Sequence, residues 1–154
     1  MRIIFYGYSG VHSAVLAAAT HLGIISLSEA ASLQLSEVPF FGTQKVKYHL
    51  RLHGPDIWGN EIYSLGVGRE IKLLPRAIID FLRLYQNNNQ KIKLINTIAP
   101  LSYIVKAGEL LSCIGCLKWG NYLVSKGIKA DYIKLVAHVN RELANNDGGL
   151  YLNH

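Results

Sequence analysis

The stretch RIIFYGYSGVHSAVLAAATHLG, residues 2–23, gathers the groups best suited to chemistry: Ser9, His12 and Ser13, set among Gly7, Tyr8, Gly10 and Val11. An apolar run, Ile3 to Phe5, leads into this turn and an alanine-rich segment leads out of it. A helix start leaves backbone N–H groups unpaired and carries about half a positive charge, so it attracts an anion without any cationic side chain. Gly7 and Gly10 permit close backbone approach, Ser9 and Ser13 bring hydroxyl donors, and His12 brings a titratable one. These are the parts of a phosphate cradle. If a reaction takes place there, His12 is the candidate for proton transfer or charge stabilisation, with Ser9 and Ser13 as hydroxyls facing an oxyanion or a metal.

The signal is a context and not a complete motif. Laid on G-x-x-x-x-G-K-[ST], the turn puts Tyr6 and Val11 where the two glycines belong and His12 where the lysine belongs, so Ser13 alone matches. A neutral imidazole does not replace a permanent ammonium on a β,γ-phosphate. The string Gly7-Tyr8-Ser9-Gly10-Val11 also falls short of the G-x-S-x-G nucleophile elbow, because its second glycine comes one place early. A plain reading stands beside both: a tight strand-to-helix turn needs its glycines, and Ser13 caps the helix.

The elements around the turn follow from hydrophobic period. Ile3 to Phe5 suits a strand buried on both faces, and Ser13 to Leu22 suits a helix ended by Gly23. Ser28 suits the cap of a short helix over 29–35. KVKYHLRLHG alternates, with Val46, Tyr48, Leu50 and Leu52 on one face and Lys47, His49, Arg51 and His53 on the other, and with EIYSLGV it makes a β-hairpin. Pro75 opens a helix carrying Ile78, Ile79, Leu82 and Tyr85 on one side, ended by QNNNQ. KIKLINT reads as a strand, followed by a helix over about 101–117 in which Gly108 and Gly115 share a stripe. A short helix near Tyr122, a break at Gly127 and a helix over about 131–143 complete the order, with a frayed tail. The expected fold is one α/β domain over 1–154. It is a small, layered, mixed sheet with Ile3–Tyr6 and Ile92–Ile95 as parallel central strands, an edge hairpin, a P-loop-like strand-turn-helix and a helix-rich C-terminal half.

In a parallel sheet ligands gather at the carboxyl ends of strands, which adds Asn96 and Thr97 to Gly7, Tyr8, Gly10 and Val11 as candidate ligand contacts. Lys47, His49, Arg51 and His53 form a polar row in which a simple hairpin would bring Glu61 near His53. His49 and His53 lie ~13 Å apart along the strand, too far to share one metal ion. Asp56 reads as a turn-holding residue, with a role on Mg²⁺ only if the hairpin folded toward the first turn. Cys113-x-x-Cys116 has redox spacing but sits near the end of an apolar helix, where inert buried thiols are the expectation. Lys118, Lys126, Lys129 and Lys134, interleaved with Trp119, Tyr122 and Tyr132, read as a solvated face able to meet a nucleic acid or a membrane surface.

Half of the 154 residues are apolar and 17% are charged, which supports one well-filled core; the net charge of +6 favours acidic partners, nucleic acid among them. Tyr6 to Gly10 breaks the apolar continuity a signal peptide needs, and Lys106, Glu109 and Lys118 interrupt the longest later apolar stretch. A soluble cytoplasmic protein without integral membrane association is expected, with neither cofactor nor oligomeric state specified.

The pattern Tyr6, Tyr8, Gly10, His12, Ser13 and then Ala17 to Gly23 resembles a short uncharacterised family of Firmicutes proteins known as a domain of unknown function. GNEIYSLGVGRE and GIKADYIKLVAHV are similar to its remaining blocks, whereas Ser9 stands where the family has glycine and CIGC lies outside its pattern. The resemblance implies a bacterial cytoplasmic protein with no assigned reaction and makes the Gly-x-His-Ser turn its site. The expected function is therefore binding of an anion, a nucleotide or phosphorylated metabolite, at Gly7–Ser13. The alternative is a non-enzymatic module that docks an acidic partner through its basic strand and helical face.

Overall fold

Strand β1 (Arg2–Gly7) buries Ile3, Ile4 and Phe5 because it has a strand on each side and helices on each face. The computed structural model describes residues 1–26, 35–43, 48–85 and 91–145. The other elements are α1 (Ser13–His21), β2 (Leu50–Pro55), β3 (Glu61–Gly66), α2 (Leu73–Tyr85), β4 (Ile92–Asn96), α3 (Tyr103–Cys113) and α4 (Leu117–Ala144). The strand order is β2-β3-β1-β4, with β1 parallel to both β3 and β4 and β2 antiparallel to β3. The expected α/β fold with a small mixed sheet and a helical C-terminal half is present. β3 takes the inner place, and β4 lies at an edge.

Alternation along the strands sorts the core into two layers. Ile3, Phe5, Ile62 and Ile95 face α1, α3 and α4, where Leu16, Val105, Val124, Ile128, Tyr132 and Leu135 are buried. Ile4, Leu65 and Ile92 face the other way, with Ile71, Leu74 and Ile78 of the α2 region packed over them. The β1-to-β3 link runs through α1 and the β3-to-β4 link through α2, on opposite faces of the sheet. The carboxyl ends of β1 and its neighbours therefore lie where connections diverge, the usual location of ligands in such sheets.

Several local expectations are corrected. A β-bulge between Leu52 and Gly54 shifts the hairpin register, so Glu61 lies opposite Pro55 and pairs with Arg2 at 2.8 Å, while His53 meets Ser64 at 2.9 Å. The polar row turns inward: Arg51 and His53 are half-buried, with Arg51 on Thr43 and stacked on Phe40, and Leu50 and Leu52 are exposed. Gly127 does not break the chain; α4 runs 28 residues through it. A Cβ there would stand 2.7 Å from Val105 Cγ2, and the close contact of α3 with α4 offsets glycine's helix cost of about 1 kcal/mol. Gly108 likewise admits Gly120, but Gly115 lies outside α3 at φ 98° with nothing near it. Cys116 is exposed, Cys113 is half-buried, and neither is in a disulfide. The expected cap at Ser28, the strand at 45–47, the QNNNQ stop and the tail beyond 145 lie outside the described residues.

Gly10 has φ +65°, and a Cβ there would stand 2.6 Å from Gly66 Cα and 2.7 Å from the Leu65 carbonyl carbon, so the turn rests directly on the β3 backbone. Gly59 has φ +75° with open space around it. Gly10→Ala is expected to lower unfolding free energy by about 3 kcal/mol or more, against about 1 kcal/mol for Gly59→Ala. Urea denaturation checks this, and equal losses would show that the close approach contributes nothing.

Candidate functional site

The turn between β1 and α1 does hold an anion, and that anion is part of the chain. The Tyr8 and Ser9 amides donate to Glu109 Oε2 at 3.1 and 3.5 Å, and the Ser13 amide donates to Oε1 at 2.9 Å. Glu109 comes from α3 and is fully buried. The α1 N-terminus faces it with its partial positive charge, so the amides expected to meet an external phosphate are occupied internally. Gly7 makes room for this: a Cβ there would stand 2.9 Å from Ser13 Oγ and 3.3 Å from Glu109 Oε2. Thr97 Oγ1 donates to the Tyr6 carbonyl at 3.0 Å, which leaves the Ser13 hydroxyl to donate to Thr97 at 2.9 Å. Ser13 thus ties α1 to the end of β4 and does not cap its own helix, whose N-cap is His12. The Cys113 thiol donates to the Tyr8 carbonyl at 3.0 Å.

His12 is fully buried and bridges two groups. Its Nε2 lies 2.7 Å from Asn121 Oδ1, and Asn121 Nδ2 donates to the Gly42 carbonyl at 3.1 Å. The amide oxygen therefore faces the ring, Nε2 carries the proton, and Nδ1 accepts from the Ser9 hydroxyl at 2.7 Å. Serine, base and orienting amide are the components of an activated nucleophile. Ser9 is as buried as His12, so in this conformation the trio fastens the turn to the segment at 38–43. Phe41 packs edge-on against His12, and Gly42 donates its amide to the Val11 carbonyl at 2.9 Å. Burial lowers the His12 pKa, opposed by Glu109 and by the bond to Asn121, and this favours the neutral ring.

Asn96 and Thr97 part company. Thr97 joins the buried network, while Asn96 sits on a cavity of about 350 Å³ on the opposite face of the sheet. Tyr6, Ile71, Lys72, Pro75, Arg76, Ile79, Leu94 and Glu142 also line it. Asn96 Oδ1 accepts from the Ile98 amide, and its carbonyl accepts from His138 Nε2 at 2.9 Å. Among the described residues no hydrogen bond or ion pair engages the Tyr6 hydroxyl, the Asn96 Nδ2 group or the side chains of Lys72, Arg76 and Glu142. Burial, and then Glu142, raises the Tyr6 pKa. Sequence reasoning reached Asn96 but missed the others. Lys72 and Arg76, four apart around the Pro75 helix start, were the available signal.

The remaining candidates are accounted for locally. Asp56 accepts the Trp58 and Asn60 amides and meets His21 Nε2 at 3.1 Å, holding its turn against the end of α1. Among the described residues no group of three His, Cys, Asp or Glu side chains is placed to hold a metal. No helix among them is long and apolar enough to cross a membrane.

Two consequences are measurable. Glu109→Gln sets an amide group against donor N–H groups and is expected to cost about 2 to 4 kcal/mol in urea denaturation; a loss below about 0.5 kcal/mol would contradict the internal-anion role. His12 lies below its ordinary value, and His53, buried beside Arg51, is lowered to about 4. For both, the unfolded chain binds protons first as pH falls, so their contribution is full above about 6.5 and is lost below it, down to about 4 for His53. Melting temperature should fall between these limits and fall less in His53→Gln; an unchanged slope in that variant would contradict the assignment.

No curated protein and no solved structure matches this chain. A family model described as a protein of unknown function (DUF3189) matches residues 2–142. A match that runs from β1 to the last turns of α4 takes in the Glu109-filled turn and the cavity together, and the chain belongs to this DUF3189 family.

Proposed function

We propose that this protein binds a small phosphate-bearing metabolite at the carboxyl edge of its parallel strands, in the cavity between β1, β4 and the start of α2. One observation carries the reading: Lys72, Arg76, Tyr6 and Glu142, with Asn96 Nδ2, line the cavity with polar groups that no hydrogen bond or ion pair engages among the described residues. Two cations at a helix start suit a phosphate, and arginine supplies the planar fork that such a group accepts. Glu142 suits a hydroxyl or amino group at the ligand's other end, and Asn96 Nδ2 offers a further donor. About 350 Å³ lies at the small end of ligand-cavity sizes, which favours a compact phosphorylated metabolite over a dinucleotide.

In this reading Gly7–Ser13 stands outside the cavity lining, and Ser9, His12 and Ser13 are structural, bracing the end of the strand that carries Tyr6. A second reading keeps the ligand at the turn itself. It is favoured by the convergence of three amides on one carboxylate, which an external phosphate would have to displace. No reaction is assigned under either.

Thermal-shift screening against mononucleotides and sugar phosphates separates them. A ligand present at a hundred times its dissociation constant adds about 2.7 kcal/mol to native stability. The cavity reading expects that gain to vanish in Lys72→Glu and Arg76→Glu and to persist in Ser13→Ala. The opposite pattern, or a flat screen, would overturn it.

A further inference from the structure

Between Tyr103 and Arg141 the chain has two carboxylates, Glu109 and Asp131, and both are buried. Glu109 is held by the turn amides; Asp131 accepts the Ser102 amide at 2.7 Å and lies 3.8 Å from Lys134. The other formal charges on this helical pair are six cations, Lys106, Lys118, Lys126, Lys129, Lys134 and Arg141, and one further carboxylate, Glu142, in the last turn of α4 beside the metabolite cavity. Because Glu109 and Asp131 are buried and Glu142 sits at the far end, the exposed charge along the body of α4 is positive.

The arrangement on α4 is regular. Trp119, Tyr122, Lys126, Lys129 and Ile133 follow one another at alternating steps of three and four, which places them on a single stripe of the helix. The opposite side carries Gly120, Val124, Ile128, Tyr132 and Leu135 into α3 and the core. Trp119 is 70%, Tyr122 59% and Ile133 62% exposed, and the two lysines are exposed as well. Neither Lys126 nor Lys129 has an ion-pair partner among the described residues.

We infer that this stripe docks the protein on an anionic lipid surface. Charge complementarity selects an acidic partner, and the chemistry of the stripe selects the kind. Its cations are lysines, which lay an apolar stem against a bilayer and keep the ammonium among headgroups, and not arginines, the usual readers of phosphates and bases. Trp and Tyr are the interfacial aromatics of bilayers, and Ile133 and the exposed Ile114 at the α3–α4 tip offer aliphatic surface that a nucleic acid does not use. A helix of 28 residues, about 42 Å long, presents a convex rod that fits a plane, whereas single-stranded nucleic acids are gripped in grooves. The contact is peripheral, and it is independent of the metabolite cavity.

Co-sedimentation with phosphatidylcholine vesicles, with and without phosphatidylserine, tests this. In a Trp58→Phe background Trp119 is the sole tryptophan, and its emission reports the contact. Binding is expected only with phosphatidylserine, weakened by salt, with a blue shift of Trp119. Lys126→Glu with Lys129→Glu should weaken it by about two orders of magnitude while circular dichroism and any metabolite-dependent thermal shift stay unchanged. Absence of binding at low salt, or binding indifferent to the double variant, overturns the inference. Tighter binding to a single-stranded RNA homopolymer with the same lysine dependence also overturns it and assigns the stripe to nucleic acid.

Discussion

A buried carboxylate among backbone amides organises this molecule. Transferring an unpaired charge into a protein interior is costly, and Glu109 is tolerated because three N–H groups and a helix N-terminus surround it. The same carboxylate satisfies the Ser13 amide, which the first turn of α1 would otherwise leave orphaned, along with two amides of the preceding turn. One interaction therefore settles two obligations at once, and it fixes where α3 must lie. Gly7 has no side chain because Glu109 and Ser13 fill that space, and Gly108 has none because α4 must approach the helix that delivers Glu109.

From that point the structure spreads by short polar links. Ser13 and Thr97 join α1 to the end of β4, and Ser9, His12 and Asn121 join the turn to α4 and to Gly42. Ser9, His12, Ser13 and Thr97 are buried and each is partnered, as a low-dielectric interior requires. The contrast with the other face of the sheet is chemical. There Lys72, Arg76, Tyr6 and Glu142 line one cavity, and among the described residues no hydrogen bond or ion pair joins them.

Much of the fold was legible in the sequence because hydrophobic period reports burial. The run at Ile3–Phe5, the alanines of α1 and the Pro75 helix start all appear where their patterns place them. Failures arose where long-range contact overrides local preference. Gly127 reads as a break until Val105 is seen against it, and the polar row at Arg51 and His53 reads as solvent-facing until Phe40 is found on top of it. The turn's taste for an anion was legible from glycines, hydroxyls and a helix start. The anion's identity was not, because residue 109 lies about a hundred positions away and its carboxylate resembles any surface glutamate in sequence. Of the two residues expected at the end of β4, strand alternation sends Asn96 to one face and Thr97 to the other.

Helix α4 touches every part of this arrangement. Asn121 near its start holds the His12 ring, Asp131 at its middle receives the Ser102 amide, His138 binds the Asn96 carbonyl, and its last turn accepts Lys93 through the Leu143 carbonyl. An unbroken helix transmits displacement along its axis, since each residue is bonded to the next turn. Sealed turn, open cavity and outward lysines are consequently mounted on one beam. Their spacing is therefore set by the rise of one helix, not by the loops that join the strands.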